Sequence, residues 1–200
     1  MIPMSIPVLI AYLVASYLIG AIPTGYVVAK KLKGIDIREH GSGNVGATNV
    51  RRVVGKKAGL FVLIFDFFKG FVPVFVAPYL VPEMPEEWRI AIALAASVGH
   101  SRSIFLGFTG GKAAITTLGG LFALEPLAGV LIGLMAFLII KVTRFVSLGS
   151  ITAAFTAPIL LYVMDAHWSH IVFAIFGACF IIYLHRANIG RLIKGTENRI

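Results

Sequence analysis

Long runs of uncharged apolar residues, each ended by a short basic or polar segment, constrain this chain more than any other feature. The first run, 6–29, reads IPVLIAYLVASYLIGAIPTGYVVA, and comparable runs lie at 58–81, 88–107, 113–124, 126–140, 147–164 and 168–185. A surface helix of a soluble protein is apolar on one stripe, whereas these are apolar nearly all round. A bilayer core takes roughly 20 such residues per helix. Charged residues make up 14% of the 200-residue chain, against about a quarter in soluble domains. An ordinary soluble domain is therefore excluded. The amino-terminal run lacks a positive leader and stays apolar too long for a cleaved signal, so it is expected to be the first span.

The stretch 113–140 reads either as one helix kinked at Pro126 or as two turning at Glu125 and Pro126. Charge chooses between them. With two helices, the segments 30–57, 101–112, 141–146 and 186–200 share one face and hold 16 of the 18 Lys and Arg residues. One helix would move the last two groups to the other face, against the positive-inside rule. The expected fold is an all-α integral membrane protein with seven transmembrane helices, amino terminus outside and carboxyl terminus cytoplasmic. Residues 1–200 then form a single polytopic domain, with loops 38–57, 99–116, 141–150 and 185–200 on the active face. The lone cysteine, Cys179, allows no intrachain disulfide or Cys-based zinc site.

These cytoplasmic segments carry more than charge. In REHGSGNVGATNVRRVVGKKAG, the residues from Gly41 to Gly46 match G-x-G-x-x-G, but no strand precedes them and the dinucleotide fold is rejected. The physical content remains: closely spaced glycines let backbone N–H groups converge on an anion, with Ser42, Asn44, Thr48 and Asn49 as neutral donors and Arg51 and Arg52 supplying charge. A flexible loop with basic flanks for lipid headgroups is the plainer alternative. The second segment, GHSRSIFLGFTGGKAAITT, centres on Lys112. It is no Walker loop, since Ala113 stands where Ser or Thr is required, yet a lysine after two glycines at a helix start suits a phosphate. A snorkelling lysine explains it as well. The third places Ser147 and Ser150 one turn apart near Arg144, and in the fourth His185 and Asn188 lie three residues apart, on one helical face. Asp66 and Lys69, one turn apart within an apolar run, are expected to pair as a structural ion pair.

Several chemistries lack their residues. Asp36, Glu39 and Glu197 are the acids of the cytoplasmic segments, too few for the carboxylate pairs of magnesium-dependent phosphotransfer, so no metal or other cofactor is expected. Four residues beyond His100 and His185 stand Phe105 and Gly190, so the H-x-x-x-x-D acyltransferase signature is missing, and no G-x-S-x-G elbow occurs. Nucleic acid is not an expected partner, because the basic segments lack interleaved aromatics. A transporter for a phosphorylated metabolite is the main alternative; it predicts polar residues deep in the membrane, whereas most here gather at one face.

GSGNVGATNVRR, GHSRSIFLGFTGGKAAITT and HRANIGRLIKGTENRI, in this order and separated by spans, resemble the three cytoplasmic motifs of the PlsY acyl-phosphate:glycerol-3-phosphate acyltransferases. The second departs most: the family has an aromatic-proline pair after Gly-His and reads FKGGKG, where this chain has Ser101-Arg102-Ser103 and FTGGKA. The resemblance implies transfer of a fatty acyl group from acyl phosphate to glycerol-3-phosphate, giving lysophosphatidic acid and inorganic phosphate, without metal or acyl-enzyme. It implies a multi-pass protein of a bacterial inner membrane, with acyl phosphate, glycerol-3-phosphate and the bilayer as partners and no obligate protein partner. Ser42, Gly43, Asn44, Thr48, Asn49, Arg52 and Lys112 are then assigned to substrate phosphate. His185 and Asn188 fall nearest the reacting carbonyl, with Ser150 as a further contact at the catalytic centre.

Overall fold

The computed structural model describes residues 5–200, and among them every regular element is helical. Ten α-helices run in order: α1 Ile6–Ala21, α2 Thr24–Lys33, α3 Ala47–Val53, α4 Lys56–Leu80, α5 Glu86–Ser101, α6 Ala114–Leu124, α7 Pro126–Thr143, α8 Val146–Val163, α9 Trp168–Leu184 and α10 Arg186–Ile193. The chain divides into two compact units, the first ending at Gly120 and the second beginning at Leu121.

By length and composition, four helices or broken helices can cross a membrane: Ile6–Lys33, Lys56–Leu80, Pro126–Thr143 and Val146–Val163. The pair α9 and α10, bent by 62°, makes a fifth if it is one span. α5, with 16 residues, and α6, with 11, fall short of that length, although each apolar run of the sequence contains a helix. The two-helix reading of 113–140 matches the structure, since α6 ends at Leu124 and α7 begins at Pro126. Proline suits that start: its missing N–H is an orphan in the first helical turn anyway.

The first unit is inverted relative to a soluble protein. On α4, Leu60, Phe61, Phe65, Phe68 and Phe75 are exposed, while Asp66 and Lys69 are buried. Apolar side chains outside and charges inside suit a lipid surrounding. With no water-driven burial between helices in lipid, close approach of small residues has to hold them together. A Cβ at Gly20 of α1 would strike the Ala96 carbonyl of α5, and one at Gly99 the Tyr17 carbonyl. Ser16 Oγ also donates to Ile92 O across this seam at 2.8 Å. α4 meets α6 the same way, Gly70 against the Thr116 carbonyl and Gly119 against that of Phe67.

α1 breaks from α2 at Ile22–Pro23, because a proline has no N–H to continue the ladder. The carbonyls released there are satisfied by side chains from elsewhere in the unit: Ser103 Oγ donates to Ala21 O and Lys69 Nζ to Ile22 O, each at 2.5 Å. α2 closes on Gly34, whose φ of 70° is left-handed, after a last turn holding Lys30, Lys31 and Lys33. Those cations complement the helix dipole.

In the second unit α7 packs on α8 and α8 on α9. Gly129 lies against Phe122, and a Cβ at Gly149 would press on Ile140 and the Ala136 carbonyl. The unit's two ends are tied by different pairs. At one, His170 Nδ1 lies 2.9 Å from Glu125 Oε1; at the other, Ile200 N donates to Arg144 O at 3.0 Å.

Candidate active site

In the first unit, the loop before α3 is built around one side chain. Asn49 is 2% exposed; its Oδ1 accepts from Ser42 N at 2.9 Å, and its Nδ2 donates to His40 O and Asn44 O, both at 2.9 Å. Gly41 and Gly43 take φ of 62° and 69°, a region glycine enters without steric cost. The sequence grouped Asn49 with the substrate donors; the structure shows its amide bonded to the loop backbone, shaping the turn. Ser42 and Gly43 are exposed at its rim, and Thr48 is half-buried in the first turn of α3.

Asn44 joins this loop to the next. Its Oδ1 accepts from Gly46 N at 2.8 Å, and its Nδ2 reaches Gly110 O at 3.4 Å. The second loop is itself closed, with Phe108 N donating to Ser103 O at 2.8 Å and Gly111 N to His100 O at 3.0 Å. It delivers a half-buried Lys112 just before α6. Between the two loops opens a cavity of about 340 Å³ lined by Asp36, Arg38, Glu39, Gly43, Val45, Thr109 and Gly110. Arg38 is matched by Asp36 at 2.6 Å, and its hydrogen bonds hold the Asp36 carboxyl down at about 2. Arg51 and Arg52 are exposed on α3, and among the described residues neither has an acidic partner. The backbone and Cβ of Arg51 pack closely on Gly59 of α4.

In the second unit, Glu197 collects the polar residues. Its Oε1 accepts from Ser147 Oγ at 2.8 Å and Asn188 Nδ2 at 2.6 Å, while Oε2 accepts from Arg191 Nε at 2.7 Å. Burial alone would raise its carboxyl pKa, but these hydrogen bonds outweigh burial and hold it below the ordinary glutamate value. His185 is buried at the α9–α10 bend, with Nδ1 2.8 Å from Ile181 O. A carbonyl oxygen can only accept, so Nδ1 carries the proton and Nε2 is the basic nitrogen. Ser150 is half-buried on α8, one turn after Ser147.

The predicted residues thus come together in two groups: Ser42, Gly43, Asn44, Thr48, Asn49 and Lys112 on the joined loops of the first unit, with Arg52 on α3 beside them, and His185, Asn188 and Ser150 on the elements tied at one end of the second. Sequence reasoning missed Glu197 as the hub. Its signal was modest: one of few acids in the basic segments, nine residues beyond Asn188. It also left His100 without a role. Among the described residues, no three of His, Cys, Asp or Glu gather as a metal site.

The family model for glycerol-3-phosphate acyltransferase matches residues 10–195. A glycerol-3-phosphate acyltransferase of Rippkaea orientalis is 46% identical over 197 residues, covering 94% of this chain and 90% of the relative. One from Thermosynechococcus vestitus is 44% identical, covering 92% of each. Among solved structures, the chain is similar to PlsY, an integral membrane glycerol 3-phosphate acyltransferase. The glycerol 3-phosphate form superposes with a TM-score of 0.91 at 41% identity, covering 96% of both chains. The lysophosphatidic acid form does so with 0.88 at 40% identity, covering 96% of this chain and 95% of that one.

Proposed function

Since the chain belongs to the glycerol-3-phosphate acyltransferase family, we propose that it takes its acyl group from acyl phosphate and passes it directly to glycerol-3-phosphate. The products are lysophosphatidic acid and inorganic phosphate. In this reading the chain crosses a bacterial inner membrane seven times, amino terminus outside, with its active site toward the cytoplasm. The observation that carries it is the junction of the two first-unit loops through Asn44 and Gly110 O, which unites a glycine-rich anion loop with the Gly110–Gly111–Lys112 turn. Both proposed substrates end in phosphate.

Ser42, Gly43, Asn44, Thr48, Arg52 and Lys112 bind substrate phosphate through N–H and O–H donors and cationic heads. Asn49 keeps the loop in the shape that aims them. Acyl phosphate already carries a good leaving group, so the chemistry needs placement and oxyanion donors more than a covalent nucleophile. The primary hydroxyl oxygen of glycerol-3-phosphate attacks the acyl carbon. Its proton goes to His185 Nε2 or to a substrate phosphate oxygen, Asn188 donates to the developing oxyanion, and the carbon–oxygen bond to phosphate then breaks. Ser150 adds a contact beside the reacting group. No step calls for a metal, and the scarcity of acids in the basic segments supports a metal-free reaction. The PlsY structures in glycerol 3-phosphate and lysophosphatidic acid forms lend support to the acceptor and product named here.

The test is to incubate purified protein with glycerol-3-phosphate and either acyl phosphate or acyl-CoA, with and without chelator, and follow phosphate release and lysophosphatidic acid. Chelator-insensitive release from acyl phosphate is expected. No release, with turnover of acyl-CoA instead, overturns the donor assignment. Uptake of glycerol-3-phosphate into proteoliposomes without turnover would favour a transporter.

A further inference from the structure

Beneath the Gly110–Gly111–Lys112 turn lie three buried titratable side chains to which the proposed chemistry gives no part. Lys69 and Asp66 form an ion pair of 2.6 Å, with side chains 5% and 3% exposed. His100 lies beside it, Nδ1 3.8 Å from Asp66 Oδ1. Lys69 Nζ also donates to Ile22 O at the α1–α2 break, and the main-chain carbonyl of Asp66 accepts from Thr116 Oγ1 of α6 at 2.9 Å. The other edge of the histidine ring faces the turn. A Cβ on Gly111 would strike His100 Nε2, and one on Gly110 would strike His100 O, which already accepts from Gly111 N.

The imidazole therefore fills the space between a fixed ion pair and the backbone that delivers Lys112. We propose that His100 is a positioning residue: backed by Asp66 and Lys69, its ring is the spacer that sets the Gly110–Gly111–Lys112 backbone for a substrate phosphate. Buried ion pairs are weak evidence of stability in themselves, because desolvation cancels much of their attraction. What this one supplies is a floor on α4, tied through Lys69 to the α1–α2 break and through the Asp66 main-chain carbonyl to α6. Gly111 is required because any side chain there would push the turn off that floor. The inference rests on the reading that the Lys112 segment holds phosphate.

The experiment measures kcat and KM for glycerol-3-phosphate and for acyl phosphate, together with Tm, in wild type, His100→Ala, His100→Gln, Gly111→Ala, His100→Ala/Gly111→Ala and Lys112→Ala. Misplacement of the turn is expected to raise KM for at least one phosphate substrate roughly tenfold or more in folded His100→Ala and Gly111→Ala. His100→Gln, which refills part of the space, should recover some of that loss, and the double variant should lie below Gly111→Ala in KM. A merely structural histidine would lower Tm and the active fraction but leave KM alone. Wild-type KM values in folded His100→Ala, or in Gly111→Ala should His100→Ala fail to fold, overturn the proposal. If Lys112→Ala raises KM and the others do not, this inference falls by itself. If Lys112→Ala leaves both KM values unchanged, the phosphate reading falls and this inference with it.

Discussion

Asn188 donates from Nδ2 to Glu197 Oε1 at 2.6 Å, so the side chain assigned to the reacting carbonyl is aimed by a carboxylate nine residues further on. The same oxygen accepts from Ser147 Oγ at 2.8 Å, locking the start of α8 to α10. Glu197→Ala should leave two buried donors without this acceptor, a loss of about 1–3 kcal/mol for each group left unsatisfied. Thermal unfolding in detergent should show a lower Tm and turnover should fall. Glu197→Gln, which keeps the shape but presents an amide to Arg191, should show a smaller loss of Tm with kcat still well below wild type. Unchanged kcat in folded Glu197→Gln would detach Glu197 from the orientation of Asn188.

The Glu197 carboxyl also makes stability depend on acid. Its pKa is held below the ordinary value of 4.5 by hydrogen bonds from Asn188, Ser147 and Arg191, which prevail over burial. A group depressed in the folded state stabilises it fully above the unfolded pKa, and that contribution fades as pH falls through the folded one. Wild type should therefore exceed Glu197→Gln in Tm at neutral pH, with the gap closing below roughly pH 4. A gap that stays constant down to the acid limit would show that the hydrogen bonds do not discriminate ionised from neutral carboxyl.

Much of this was legible because lipid and charge write plainly in sequence. The helix of each apolar run, the turn at Glu125–Pro126 and the pairing of Asp66 with Lys69 follow from the exclusion of unpaired charge from lipid and from proline's missing N–H. The glycines at 41 and 43 stood out for the same kind of local reason. What sequence hid was which polar group answers which. Asn44 and Asn49 read alike as donors, yet Asn49 folds inward to three backbone partners while Asn44 reaches across to Gly110. Glu197 and His100 owe their importance to segments 50 residues and 34 residues away, Ser147 and Asp66, and no local pattern records such pairings.

Asn49 gives a third prediction. Because its amide both accepts from Ser42 N and donates to His40 O and Asn44 O, no single replacement preserves the set. Asn49→Asp keeps the acceptor but points a carboxylate at carbonyl oxygens. Asn49→Ala removes everything. Both should raise KM for glycerol-3-phosphate, Asn49→Asp at least as much as Asn49→Ala despite its closer shape, since a buried charge facing carbonyls costs more than a lost neutral bond. Wild-type KM in either variant would show that the loop keeps its form without this side chain.

Arg51 and Arg52 are neighbours in sequence but not in surroundings. Successive residues on a helix point about 100° apart. The backbone and Cβ of Arg51 lie against Gly59 of α4, which places that position at the α3–α4 seam. Arg52, exposed and without an acidic partner among the described residues, is the arginine assigned to phosphate. Losing a charge-assisted contact to phosphate removes about 1.5–3 kcal/mol, roughly ten- to a hundredfold in kcat/KM. Arg52→Ala should show that loss, with Tm close to wild type. Arg51→Ala, which keeps every atom that meets Gly59, should leave Tm close to wild type and kcat/KM within a few-fold of wild type. Steady-state kinetics of both variants, normalised to the folded fraction, decide the matter: equal losses would remove the distinction, and a larger loss in Arg51→Ala would transfer the phosphate contact to that residue.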